Sequence, residues 1–105
     1  MKPLTVTAEH EGNSVRVVFE GELDIGGAAQ AEDVLAQAEG DSVTDLTLDL
    51  SGLTFMDSTG LRLVVAANRR AQESGRTLRV VRGPAAVQRV FELTGLDDKL
   101  PLVDG

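Results

Sequence analysis

The stretch TDLTLDLSGLTFMDSTGLRLVV, residues 44–65, constrains the fold more than any other part of the chain. In TDLTLDL, residues 44–50, Leu46, Leu48 and Leu50 recur every second residue, the period of a strand with one buried face. Beyond it the apolar spacing changes to that of a helix starting near Ser58. Leu61, Val64, Val65, Asn68 and Ala71 are expected inward, Arg62, Arg69, Arg70, Gln72 and Glu73 outward, with Gly75 as the stop. A strand running directly into a helix must turn at MDSTG, residues 56–60, and such a succession builds a sheet with helices laid on it.

The flanking segments extend this pattern. LTVTAEHEGNSVRVVFEGELD reads as two strands joined at Glu11-Gly12-Asn13, with Val15, Val17 and Phe19 alternating and Gly21 expected to end the second strand. GGAAQAEDVLAQAEG carries Ala28, Ala31, Val34/Leu35 and Ala38 at helical spacing, and Gly40 stands as its stop. TLRVV is a further strand. GPAAVQRVFELTG is a third helix, with Pro84 at its start and Gly95 beyond its last turn. The tail LDDKLPLVDG has room for one short turn or strand. Two strands followed by alternating helix and strand predict an α/β domain with a mixed sheet, and 105 residues suit one domain, 1–105.

Composition removes several function classes. There is no cysteine and one histidine, so a thiolate site, a protein-built zinc site and a nucleophilic triad are all disfavoured. His10 lies between two glutamates beside the first turn and reads as an exposed turn residue. GELDIGG has neither the glycine spacing of a phosphate loop nor that of a dinucleotide fingerprint. Nothing in these residues assembles an active site.

The formal charge of −7 joins an acidic half to a mildly basic one. Residues 1–57 carry twelve acidic and two basic side chains, net −10; residues 58–105 carry five and eight, net +3. This balance argues against binding nucleic acid through its phosphates. No run of about 18 apolar residues suggests a membrane span, and MKPLTVTAEHEGN lacks a signal peptide's apolar core. A cytoplasmic location, without nucleic acid or membrane as partner, is the expectation.

Asp57, Ser58 and Thr59 crowd the junction ahead of Gly60. One of them, Asp57 or Ser58, suffices as a helix N-cap, worth about 1 kcal/mol. The remaining hydroxyls invite a second reading. A helix N-terminus tolerates a phosphate, and phosphorylation there adds about −1.5 to −2 charges to an acidic neighbourhood. A docking surface could thus be switched with the fold intact. A phosphoacceptor aspartate of the receiver type fits poorly, because no acidic pair follows the first strands and no lysine follows LRVVRGPAA.

GELD at 21–24, LDLSGLTFMDSTGL at 48–61 and VQRVFELTGLDDKL at 87–100 together resemble the STAS domains, specifically the stand-alone anti-sigma factor antagonists of bacteria. The resemblance spans about residues 4 to 103. It implies a single α/β domain with a mixed sheet of four or five strands and helices mainly on one face. It further implies a non-enzymatic partner, switched off when an anti-sigma factor serine kinase phosphorylates Ser58, with Thr59 as the alternative acceptor. A serine phosphatase would reset it, and ATP would be bound by the kinase, so the chain itself is expected to need no cofactor. Asp24, Asp57, Thr59, Gly60 and Arg62 would form the docking surface. Arg62 departs from the family pattern, where glycine often follows DSTGL, and Gly26-Gly27 is looser than usual. Two other settings compete: a soluble subunit of a membrane lipid transporter or stress-sensing scaffold, in which Ser58 serves mainly as a helix cap, and a nucleotide hydrolase, for which no general base stands out.

Overall fold

The computed structural model describes residues 2–105. Strands β1 (Thr5–Glu11) and β2 (Ser14–Leu23) form a hairpin and are followed by a short 3-10 turn (Ile25–Gly27) and helix α1 (Ala28–Ala38). Next come β3 (Asp45–Met56), α2 (Ser58–Ser74), β4 (Thr77–Val81), α3 (Ala85–Leu93) and β5 (Leu102–Val103). Gly12 takes φ +60° in the hairpin's two-residue loop, the left-handed conformation that glycine adopts without penalty.

The sheet has the order β1-β2-β3-β4-β5, antiparallel between β1 and β2 and parallel elsewhere. From β2 onward each strand is laid beside the last in one direction. Parallel neighbours need a crossover, and crossovers are right-handed. A constant hand with a constant direction puts all the crossover helices on one face.

The burial pattern agrees. Val15 pairs with Leu46 and Leu46 with Leu78, while Val17 pairs with Leu48 and Leu48 with Val80. All these side chains are buried, together with Phe19, Leu35, Ala67, Val87 and Phe91. The expected mixed sheet with helices on one face is therefore what the chain builds, and the strand count is five.

Three expected details need correction. Gly21 does not end β2: it sits inside the strand at φ +93°, next to a register shift, and pairing continues to Leu23. The residue is required there because a Cβ would press on the backbone oxygen of Pro3. β3 does not stop at Leu50 but runs on to Met56 alongside β2. Along α2 the buried residues are Gly60, Leu61, Leu63, Val64, Ala67 and Ala71, whereas Val65 and Asn68 are only half-buried. Helix α2 packs against both α1 and α3. Its apolar arc is wider than a single stripe, and Leu63 covers the flank toward α1.

The opposite sheet face is polar and ion-paired. Arg16 on β2 meets Asp49 on β3 at 2.6 Å, and Arg79 on β4 faces Asp45 at 3.7 Å. Asp49 is only 7 % exposed. Burial alone would raise its pKa, but the Ser51 hydroxyl and amide and the Arg16 guanidinium outweigh that and hold it below the ordinary carboxylate value. A lowered folded-state pKa means the folded chain binds fewer protons than the unfolded one. The stabilisation is therefore full above the unfolded value and lost as pH falls through the folded one. Asp49→Asn should cost about 1–3 kcal/mol at pH 7, measured by chemical denaturation. The difference from the parent chain should shrink below about pH 4, and equal stabilities at pH 7 would contradict this account.

Candidate functional site

The register of β2 with β3 creates the site. Leu23 pairs with Met56, so the next residues, Asp24 and Asp57, leave the sheet side by side at the carboxyl ends of adjacent parallel strands. The Asp57 amide donates to the Leu23 carbonyl at 3.3 Å, which ties the two exits together.

Each aspartate then caps the next turn of the chain. Asp24 Oδ1 accepts from the Gly26 amide at 3.0 Å and starts the 3-10 turn. Asp57 Oδ1 accepts from the Thr59 amide at 2.9 Å and more weakly from the Gly60 amide at 3.4 Å. The Asp57 carbonyl takes the first helical bond, from Leu61.

Of the two candidate caps, Asp57 and Ser58, the N-cap of α2 is therefore Asp57, and Ser58 does not cap the helix. The carboxylate reaches two orphan amides from a β-region backbone, φ −106° and ψ −168°, whereas Ser58 already lies inside the first turn. Relieved of that role, the exposed Ser58 hydroxyl makes no hydrogen bond among the described residues. Thr59 is half-buried and turned into a groove of about 760 Å³ between α1 and α2, lined also by Glu32, Glu39, Arg62, Leu63 and Arg70. Across this groove Glu39 and Arg70 pair at 3.0 Å.

Gly60 is buried where the start of α2 lies on the strand ends. A Cβ there would run into the Met56 side chain and come within 2.9 Å of Leu23. Its absence lets the hydroxyl-bearing turn sit against the Leu23 and Met56 side chains at the ends of β2 and β3. Arg62 is exposed one turn further on. His10 is exposed on β1, opposite Val15 and away from this cluster.

Two apolar residues at the same end escaped the sequence reading. Ile25, directly after Asp24, is 80 % exposed, and Phe55, two residues before Asp57, is 45 % exposed. Ile25 could have been suspected from its place in a polar, glycine-rich loop. Phe55 could not. The β2–β3 register skips Thr54, whose hydroxyl bonds the Gly21 carbonyl at 3.2 Å, and this turns Phe55 outward beside Glu22.

Among the described residues no group of three His, Cys, Asp or Glu is placed to hold a metal ion, and no helix is long and apolar enough to cross a membrane. The arrangement instead offers an accessible hydroxyl at a helix start, two carboxylates engaged with backbone amides, and exposed apolar side chains.

Comparison with known proteins points the same way. A family model described as "Mlab, STAS domain" matches residues 6–104. The anti-sigma-B factor antagonist of Staphylococcus aureus is 32% identical over 85 residues, which cover 81% of this chain and 79% of that protein. The crystal structure of an anti-sigma factor antagonist from Mycobacterium paratuberculosis superposes with a TM-score of 0.87 at 32% identity, covering 98% of this chain and 87% of that one. The antagonist SpoIIAA in its unphosphorylated form gives 0.81 at 25% identity, covering 96% and 88%.

Removing the cap by Asp57→Ala should cost about 1 kcal/mol. Gly60→Ala should cost about 1–3 kcal/mol through overpacking. Both are read from denaturation midpoints, and a neutral Gly60→Ala would mean that the turn can lift off the strands.

Proposed function

The chain belongs to the STAS domain family, and from that premise we propose that it is an anti-sigma factor antagonist switched by phosphorylation of Ser58. The unphosphorylated protein binds an anti-sigma factor serine kinase and so frees the sigma factor. In the same complex the kinase, which holds the ATP, modifies its bound partner. The Ser58 oxygen attacks the γ-phosphorus, an O–P bond forms, the bond to the β,γ-bridging oxygen breaks and ADP leaves. The hydroxyl proton passes to a base of the kinase. A serine phosphatase hydrolyses the phosphoserine and restores the hydroxyl. The chain supplies an acceptor and a docking surface, with no catalytic group and no cofactor of its own.

The observation that carries this reading is the exposed Ser58 hydroxyl, free of any capping duty because Asp57 performs it. Modification there costs the fold no hydrogen bond, and the helix N-terminus favours the added anion. The same phosphate stands beside Asp57 and near Asp24, so a partner matched to that surface meets about two extra negative charges. Docking is assigned to Asp24, Asp57, Thr59, Gly60 and Arg62, and the exposed Ile25 and Phe55 give the patch an apolar component. Thr59 is the alternative acceptor, less accessible because its side chain lines the groove.

Incubation with the kinase encoded nearest to this chain's gene, and with ATP, should add one phosphoryl group by intact mass, mapped to Ser58. Ser58→Ala should stay unmodified, keep its fold and bind the kinase as the parent chain does. Ser58→Glu should bind at least about tenfold more weakly, a loss of about 1.4 kcal/mol. Undiminished phosphorylation of Ser58→Ala, mapped away from Thr59, would overturn the assignment. Co-purification of permease subunits without any kinase would favour the transporter setting.

A further inference from the structure

We propose that Arg62 is the internal counter-charge of the phosphorylated switch, its guanidinium pairing with the phosphate on Ser58 one turn away. This rests on the reading of Ser58 as the acceptor. It concerns what becomes of the phosphate once it is there.

The placement comes from helix geometry. At about 100° per residue, Arg62 lies roughly 40° from Ser58 and roughly 60° from Thr59 around the axis of α2, between the two hydroxyls. Side chains on a helix lean toward its N-terminus, so Arg62 reaches back over the turn that carries Ser58. An anion followed four residues later by a cation is the favourable order for such a pair. A guanidinium matches phosphate oxygens two at a time.

Arg62 is also available. It is exposed and forms no ion pair among the described residues, whereas Arg16, Arg70, Arg79 and Arg82 each have a carboxylate partner. The charges around it are Glu32 and Glu39 from α1 and Arg70 further along α2, all lining the same groove, with Asp57 and Asp24 at the strand ends. Glu39 is already engaged with Arg70. Glu32 is therefore the carboxylate that a phosphate would compete with for Arg62. A phosphate held by Arg62 is ordered along the helix and partly neutralised, so the partner meets a fixed ion pair in place of a freely rotating dianion.

The test uses phosphoserine installed at position 58 during synthesis, so it does not depend on any kinase. Bare and phosphorylated forms of the parent chain, Arg62→Ala and Arg62→Lys are compared at low salt. In ³¹P NMR titrations the second phosphate ionisation, near pH 6, should fall about 0.3 of a pH unit lower in the parent chain than in Arg62→Ala. Arg62→Lys should lie between them. Each protein's Tm change on phosphorylation, taken against its own bare form, should be more favourable in the parent chain than in Arg62→Ala. Superimposable titrations of the parent chain and Arg62→Ala would overturn the pairing. A kinase that ignores Ser58 would instead overturn the acceptor assignment, while the installed phosphate still decides the role of Arg62.

Discussion

The parallel pairing of β2 with β3 is the constraint on which the working end depends. It brings GELD and MDSTG, far apart in the chain, to adjacent strand ends, and the Asp57 amide bonded to the Leu23 carbonyl closes the junction. Packing and polar chemistry meet there. Leu23 and Met56 turn into the core, while Asp24 and Asp57 turn their carboxylates onto backbone amides. Gly60 keeps the two layers in contact. The fold beneath needs only apolar alternation and right-handed crossovers, but the site needs this one register.

Much of the architecture was legible because it is periodic. Leu46, Leu48 and Leu50, or Ala31, Leu35 and Ala38, mark their elements with the repeat of a strand or a helix, and Gly75 and Gly95 mark helix ends through positive φ. What escaped is where the period is broken. The irregular register around Val18–Glu20 and Gly21–Glu22 hid the continuation of β2 and β3 and the outward turn of Phe55. A glycine that serves a strand bend reads, in one dimension, like one that ends a strand.

At the site, the residue types were visible but their division of labour was not. Asp57 and Ser58 both have the chemistry of an N-cap. Only the backbone conformation shows that the carboxylate takes the amides and leaves the hydroxyl to solvent. The nearness of Asp24 to Asp57, and the pairing of Asp49 with Arg16 on the uncovered sheet face, depend on strand order and register, which no local pattern encodes.

The anchoring of the α2 start has a consequence for signalling. Pinned by the Asp57 cap and by the Gly60 contact with Leu23 and Met56, that turn has little freedom to swing when it is modified. In the proposed switch the message would then be carried by charge without a moving part, and charge in physiological salt is felt over about 8 Å. A listener must therefore come within that range of Ser58, so the ionic strength of the surroundings sets how far the signal can be heard.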